Sequence, residues 1–177
     1  MATSRDIDGV RRLDVMRVAV DAMEADRIPS AVDSLVAKND VAQIVLIRWW
    51  DFMRARRDRE YRACLREADL VLPVSRTVAW AAKSLRGIRP ERYMPFDFVI
   101  RLLGALEDRG RSIYLLGGTP QSLRTVEQNL RETFPGLKIV GRYTGGYGRQ
   151  VEADIITAIR KSIPDFVLIG PGVPARD

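Results

Sequence analysis

Short, continuous apolar runs alternate along this chain with longer amphipathic segments, and this alternation limits the fold more than any other feature. Runs that are apolar throughout are typical of parallel strands covered on both faces. They predict strands around Ile44, Val71, Tyr114, Ile139 and Leu168. The sequence therefore predicts an α/β fold: a single domain with a mostly parallel sheet, helices on both faces and a Rossmann-like architecture.

The segments between these strands have the periodicity of helices. The predicted helices cover about 51–67, 77–85, 96–106, 120–134 and 150–162. Thr119 and Pro120 provide an N-cap and a first-turn proline for the fourth of them. Residues 1–27 are predicted to be an N-terminal extension that is partly helical, and residues 28–177 to be the main domain.

Composition excludes several kinds of chemistry. The chain has 177 residues and no histidine, which excludes histidine-activated nucleophiles and histidine metal sites, and no metal site is predicted. Cys64 is the single cysteine, so an internal disulfide is excluded and a cytoplasmic protein is expected. No apolar run is long enough to predict a membrane-spanning helix, and the first residues do not resemble a secretory signal.

The formal net charge of +6 favours an anionic partner. Most of the basic residues are arginines, which is expected either for bidentate contacts to phosphate or from codon bias alone. Arginines are densest between Arg54 and Arg62, among several acidic residues. A solvated helix face is the favoured interpretation of that segment, and nucleic acid is not an expected partner.

Ligands of parallel α/β sheets bind at the carboxyl ends of strands, so the residues after each predicted strand are candidates for the site. Gly117 and Gly118 precede the Thr119 helix start, a pattern that indicates either a phosphate site or a tight turn that needs glycine. The glycine-rich segment 141–148 indicates either a surface for a base or sugar, through its tyrosines, or a mobile loop. Trp49 and Trp50 follow the first of the central strands; one is expected in the core and the other exposed to a ligand, a partner or a lipid headgroup.

The order and spacing of these pieces, from about residue 28 onward, resemble the WecG/TagA/CpsF glycosyltransferase family. The matching stretches are Arg57–Tyr61, Ala68–Pro73, Trp80–Ala81, Pro90–Arg92, Asp97, Ser112–Gly118, Phe134–Gly141, Pro164–Asp165 and Ile169–Pro174.

The resemblance implies transfer of a hexosyl group, such as N-acetylmannosaminyl, from a UDP-sugar to a polyprenyl-diphosphate-linked sugar in polysaccharide biosynthesis. No cofactor is implied beyond the donor. The expected location is cytoplasmic and peripheral at the inner membrane face, with a second copy or another glycosyltransferase as a further partner. The residues implied to bind substrate are Arg92, Gly117, Gly118, Thr119, Tyr143, Gly170 and Gly172.

Departures from the family pattern fall on its catalytic positions. Val74 and Ser75 stand where the family has Asp-Gly, whose aspartate is the proposed base, and Asp97 is the remaining candidate. Leu46, Ile47 and Arg48 lie where the family has its sugar-site Thr and Asn. Residues 173–177 lack the family's Lys-Gln pair, and family members continue beyond this point with an arginine-bearing, membrane-contacting segment.

Two functions follow from this pattern. The first is a UDP-sugar-dependent glycosyltransferase whose usual catalytic residues are substituted. The alternative is a catalytically silent relative, a pseudoenzyme that binds a nucleotide-sugar or a partner enzyme. Because valine cannot accept a proton, the chain alone is expected to have very weak or no transferase activity.

Overall fold

The structure is a computed structural model that describes residues 7, 9–37 and 42–173. The chain divides into two compact units at Leu102 and Leu103, here called the N-terminal and C-terminal units. Parallel strand pairs occur in both units, and helices alternate with them. The α/β class and the mostly parallel pairing predicted from the sequence are therefore confirmed. The start of the first predicted strand, Val41, lies outside the described residues.

The N-terminal unit is built on one parallel strand pair, in which Ile47 lies opposite Pro73. An antiparallel hairpin and several helices surround the pair. In chain order the elements are β1 (Arg11–Val15), β2 (Val18–Ala22), α1 (Ile28–Ala37), β3 (Ile44–Ile47), α2 (Trp49–Arg57), α3 (Arg59–Glu67), β4 (Leu70–Pro73), α4 (Arg76–Arg86) and the first half of α5 (Pro95–Asp108).

The hairpin of β1 and β2 lies in the segment that the sequence analysis expects to be partly helical. Its only helical turn in the described residues is a 3-10 turn over Ala25–Arg27. Leu13 and Val15 alternate with exposed residues along β1, which is the pattern of a strand with one buried face. Met16 and Arg17 both have positive φ, as a two-residue hairpin turn requires.

A buried carboxylate joins this hairpin to the parallel pair. Asp21 in β2 is 1% exposed and accepts hydrogen bonds of 2.8 Å each from Nε and Nη2 of Arg12. Its second oxygen also accepts a 2.6 Å hydrogen bond from the amide of Val71 in β4. Asp21 thus joins Arg12 of β1 to the Val71 amide of β4, and this carboxylate fixes the hairpin against β4.

The helix predicted over 51–67 is in fact two helices, α2 and α3, which meet at Asp58. The Asp58 backbone is extended, and its carboxylate accepts a 3.0 Å hydrogen bond from the Tyr61 amide as the N-cap of α3. That hydrogen bond is the main reason that the pKa of Asp58 is lowered. Arg62 donates to the carbonyls of Ala55 and Arg56, which satisfies the free end of α2.

The C-terminal unit has a three-stranded parallel sheet in the order β6-β5-β7, with β5 buried along its whole length. Its elements are β5 (Ser112–Leu116), α6 (Pro120–Thr133), β6 (Lys138–Tyr143), α7 (Glu152–Ser162) and β7 (Phe166–Ile169), after the second half of α5. Thr119 is the N-cap of α6 and Pro120 its first residue, as the sequence predicts.

At the amino edge of this sheet, Asp165 ties the start of β7 to the start of β5. Its carboxylate accepts hydrogen bonds from the amide (2.7 Å) and hydroxyl (2.8 Å) of Ser112, and from Arg111 (3.2 Å). Partial burial acts to raise the pKa of Asp165, but these hydrogen bonds outweigh it and the pKa is lowered. The Pro164–Asp165 motif therefore has a structural role.

At the carboxyl edge, the loops after β5, β6 and β7 are joined by backbone hydrogen bonds; we call these loops the glycine loops. The amide of Gly117 donates to the carbonyl of Tyr143 and that of Gly118 to the carbonyl of Pro171. Three further bonds run from Gly145 to Gly118, from Gly146 to Gly172 and from Gly170 to Leu116, with all five between 2.6 and 2.9 Å. The loops form one hydrogen-bonded layer.

Glycine at position 117 is required by this layer. Its φ is +117°, and a Cβ atom there would lie 2.8 Å from the Gly170 carbonyl oxygen. Gly146 also has a positive φ, +71°, but a Cβ atom there would have open space around it. A side chain at either position would be strained by the positive φ, but only at position 117 would it also collide with a neighbouring backbone atom.

We therefore expect Gly117→Ala to destabilise the chain by roughly 1–3 kcal/mol more than Gly146→Ala, because only the former also displaces a neighbouring backbone. Urea unfolding of the two variants measures this difference. Equal free energies of unfolding would show that the glycine loops are not packed as described.

Candidate functional site

The substrate residues predicted in the C-terminal unit come together in the glycine loops. The hydrogen bonds of this layer link the loop that contains Gly117 and Gly118 with Tyr143 and with the loop that contains Gly170 and Gly172. These residues follow three different strands, as expected for the carboxyl edge of a parallel sheet. Arg92 belongs to the N-terminal unit.

The amide groups at this edge are largely occupied by acceptors within the protein. Gly117 and Gly118 donate to carbonyls, while the amide of Thr119 donates to the Ser122 hydroxyl and that of Ser122 to the Thr119 hydroxyl. An amide N–H has one hydrogen to donate, so a phosphate there would have to displace an existing bond. This geometry favours the tight-turn interpretation of the two glycines, and their binding role stays a prediction.

Aromatic rings flank the same loops. The rings of Tyr143 and Tyr147 meet edge to face with centroids 5.8 Å apart, and Tyr143 is exposed. The neighbouring Arg142 is in an ion pair with Glu127, which holds this side of the loop against α6. The two tyrosine rings offer an aromatic surface of the kind that stacks a base or sugar.

The carboxyl edge of the N-terminal unit carries the substituted family positions. The Val74 amide donates to the carbonyl of Ile47, so position 74 follows the parallel pair directly. Ser75 is the N-cap of α4, and its hydroxyl accepts a 3.2 Å hydrogen bond from the Thr77 amide. Arg48 is occupied by an ion pair with Asp51. A valine methyl, a capping hydroxyl and a paired guanidinium are poor proton acceptors.

Two other carboxylates, Asp69 and Asp97, lie before and after β4 in the chain. Asp69 accepts a hydrogen bond from the Gln43 amide before β3 begins, so it lies at the amino edge, as its position in the sequence predicts. Asp97 lies in the first turn of α5 and is exposed, with no hydrogen bond or ion pair to any other described residue. The Tyr93 amide donates to the carbonyl of Pro73, which brings the segment before α5 to the carboxyl end of β4. Asp97 follows this contact by four residues, and its role as a base stays a prediction.

A cavity of about 630 Å³ lies within the N-terminal unit, and we call it the arginine cavity. Its volume is within the usual range for a small-molecule site. It is bounded by the end of β2, by α4 and by the loop between α4 and α5. The charged residues that line it are Glu24, Arg27, Arg76, Arg89, Glu91 and Arg92.

The four arginines of this cavity form no ion pair within the described residues. Arg92 is half-buried and contacts the sulfur of Met94, while Glu91 is hydrogen-bonded to the Ala25 amide at 2.8 Å. Guanidinium groups bind phosphate with two parallel hydrogen bonds, so the cavity suits an anion. Of these arginines the sequence predicts only Arg92 as a binding residue, because the other three belong to no motif and are brought together by the fold.

A buried tyrosine supports the wall of the cavity. The Tyr93 hydroxyl donates a 2.7 Å hydrogen bond to the Met23 carbonyl, and its ring meets Phe98 edge to face. Burial raises the pKa of Tyr93, and the charge of Glu91 adds to this effect. The hydroxyl therefore stays protonated and holds the loop that carries Arg92 against the end of β2.

Within the part of the chain that the structure describes, no group of three acidic or cysteine side chains is placed to hold a metal ion. No helix there has the length and apolar character needed to span a bilayer.

Comparison with known proteins identifies two relatives that carry the same name. Two proteins named N-acetylglucosaminyldiphosphoundecaprenol N-acetyl-beta-D-mannosaminyltransferase are similar to this chain. The one from Bacillus spizizenii is 24% identical over 123 residues, which cover 70% of this chain and 47% of the relative. The one from Bacillus subtilis is 25% identical over 121 residues, 68% of this chain and 46% of the relative. The chain thus spans about half the length of these relatives.

A family profile decides the assignment. The profile described as "Glycosyl transferase WecG/TagA/CpsF family" matches residues 13–177, which include the β-strands of both units and the glycine loops. The match begins within β1, before the boundary at residue 28 expected from the sequence. The chain belongs to the WecG/TagA/CpsF family of glycosyl transferases.

Proposed function

We propose that this chain binds a nucleotide-sugar in polysaccharide biosynthesis and transfers its sugar very weakly, or not at all, on its own. The donor is a UDP-sugar, and the acceptor in the full reaction is a polyprenyl-diphosphate-linked sugar, in keeping with the name of the relatives. The single observation that supports binding most strongly is the set of four arginines in the arginine cavity, none of which forms an ion pair with another residue that the structure describes.

The diphosphate is the part of the donor that the arginine cavity would hold. Its negative charges match Arg27, Arg76, Arg89 and Arg92, and charge-assisted hydrogen bonds are about twice as strong as neutral ones. The two glutamates of the cavity offset part of the positive charge, but the four arginines outnumber them. The amides of the glycine turn offer no comparable set of free donors, since Gly117 and Gly118 are both bonded to carbonyls.

The transfer step needs a base that the carboxyl edge of β4 does not provide at the usual place. The acceptor hydroxyl oxygen forms a bond to the anomeric carbon, the bond from that carbon to the diphosphate oxygen breaks, and UDP leaves. The hydroxyl proton must pass to an acceptor within about 3 Å. Val74 cannot take it, and Asp97 is the remaining candidate base.

The alternative function is a silent relative that binds the nucleotide-sugar or a partner enzyme. The observation that favours it is that two family positions are substituted together. Val74 replaces the family's proposed base, and Arg48, which is paired with Asp51, lies where the family has polar residues of its sugar site. Nucleotide binding is common to both functions, so turnover is the property that separates them.

Nucleotide binding is tested by isothermal titration with UDP. We expect Arg92→Gln to weaken binding by about 10-fold or more, because a hydrogen bond to a charged group contributes about 1.5–3 kcal/mol. Arg57→Gln, which removes an exposed arginine of α2 outside the cavity, is the matched control and is expected to bind UDP like the unmodified chain. Equal affinities for the two variants would refute a phosphate site in the arginine cavity.

Turnover is tested by transfer of radiolabelled sugar to a polyprenyl-diphosphate-linked acceptor. Val74→Asp is expected to raise the rate by up to about 10²- to 10⁴-fold, the usual contribution of a general base. Val74→Asn has the same size but cannot accept a proton, and it is expected to stay at the level of the unmodified chain.

Two results would contradict this interpretation of position 74. One is robust transfer by the unmodified chain, and the other is equal activation by Val74→Asn and Val74→Asp. If the unmodified chain is active and Asp97→Asn abolishes that activity, Asp97 has taken over as the base.

A further inference from the structure

Arg92 lies between two residues whose side chains are anchored to the segment that follows β2, which also lines the arginine cavity. The Glu91 carboxylate accepts a 2.8 Å hydrogen bond from the Ala25 amide. The Tyr93 hydroxyl donates a 2.7 Å hydrogen bond to the Met23 carbonyl. The chain is therefore fixed on both sides of Arg92, and we call these two hydrogen bonds the cavity clamp.

Tyr93 is also tied to the end of β4. Its amide donates a 3.0 Å hydrogen bond to the Pro73 carbonyl, directly before position 74. The residue is only 4% exposed, and its ring packs edge to face against Phe98. The amide, the ring and the hydroxyl of Tyr93 are thus all engaged, so the residue has little freedom to move. It joins the arginine cavity to the strand end where the family has its proposed base.

The guanidinium of Arg92, in contrast, has a partner that a phosphate can readily replace. Its Nη2 group contacts the sulfur of Met94, and it forms no ion pair with another residue that the structure describes. A thioether is a weak hydrogen-bond acceptor, whereas charge-assisted hydrogen bonds to phosphate are about twice as strong as neutral ones. The backbone of Arg92 is held in place while its side chain stays available for a ligand.

We propose that Glu91 and Tyr93 are positioning residues, and that the cavity clamp holds Arg92 in place before the diphosphate of the nucleotide-sugar binds. Ordering a long side chain and its loop on binding reduces affinity, and a preformed site avoids that loss. Glu91 then contributes through its hydrogen bond to a backbone amide, although its charge opposes an anionic ligand. The inference rests on the proposed function, because it concerns the same cavity and the same ligand.

Isothermal titration of the full chain with UDP tests the cavity clamp. Tyr93→Phe removes the hydroxyl and keeps the ring, and it is expected to weaken UDP binding about 3- to 10-fold. Glu91→Gln and Glu91→Ala both remove the negative charge, but only the glutamine keeps an oxygen that can accept the hydrogen bond from Ala25. Glu91→Ala is therefore expected to bind UDP about 3- to 10-fold more weakly than Glu91→Gln.

A double-mutant cycle shows whether Tyr93 acts through Arg92. In a chain that already carries Arg92→Gln, Tyr93→Phe is expected to change the UDP affinity by less than about 2-fold. A merely structural role of the hydroxyl would lower the affinity equally in both backgrounds. Tyr61→Phe removes a hydroxyl from α3, outside the arginine cavity, and is expected to bind UDP like the unmodified chain.

The chain without UDP provides a second readout. 15N relaxation of the Arg92 Nε–H group reports whether this side chain is ordered before the ligand binds. The group is expected to be rigid in the unmodified chain and to gain motion in Tyr93→Phe, while urea unfolding of the same sample shows that the variant is folded.

Several results would overturn the positioning role alone. They are unchanged UDP binding by Tyr93→Phe, equal affinities of Glu91→Ala and Glu91→Gln, an undiminished effect of Tyr93→Phe beside Arg92→Gln, or equal motion of the Arg92 Nε–H group with and without the Tyr93 hydroxyl. Failure of the proposed function looks different, because the unmodified chain would then not bind UDP, or Arg92→Gln would bind it as tightly. Either of those two results would refute the phosphate site and the positioning role together.

Discussion

The backbone hydrogen bonds between the glycine loops are the interaction on which the functional interpretation of this chain depends. They pack three loops so closely that Gly117 admits no side chain, and they occupy the amides of Gly117 and Gly118. A glycine turn before a helix ordinarily indicates phosphate binding because such amides are free. Here the amides of Gly117 and Gly118 donate to carbonyls, which is why we propose that side chains provide the positive charge for an anionic ligand.

Side chains with that property lie in the N-terminal unit. The four arginines of the arginine cavity come from three separate segments, and the two glutamates that line it leave an excess of positive side chains. The adjacent edge of β3 and β4 holds Val74 and Ser75 where the family has its base, and Ser75 is used as a helix cap. In the function that we propose, ligand binding and proton transfer are separable: the arginines for the first are present, and Val74 replaces the family's usual group for the second.

Local signals in the sequence were sufficient for much of the fold. Continuous apolar runs predict the central strands, and Thr119 with Pro120 predicts the start of α6. Both signals are local, because each depends only on residues that are close in the sequence. The break at Asp58 is not predicted because residues 56–60 are all charged and contain no glycine or proline that would signal a helix end, and a single capping carboxylate decides it. The partners of the Gly117 and Gly118 amides, and the grouping of Arg27 and Arg76 with Arg92, depend on residues distant in the sequence, so no local pattern predicts them.

The most direct test of where the anion binds is a UDP titration followed by NMR of the 15N-labelled chain. Backbone amides and arginine Nε–H groups are observed in the same experiment. Binding in the arginine cavity predicts that the Nε–H signals of Arg92 and its neighbours shift with UDP, while the amides of Gly117 and Gly118 keep their positions and remain protected from exchange with solvent. Large shifts of the two glycine amides, with the arginine signals unchanged, would contradict it and return the phosphate site to the glycine turn.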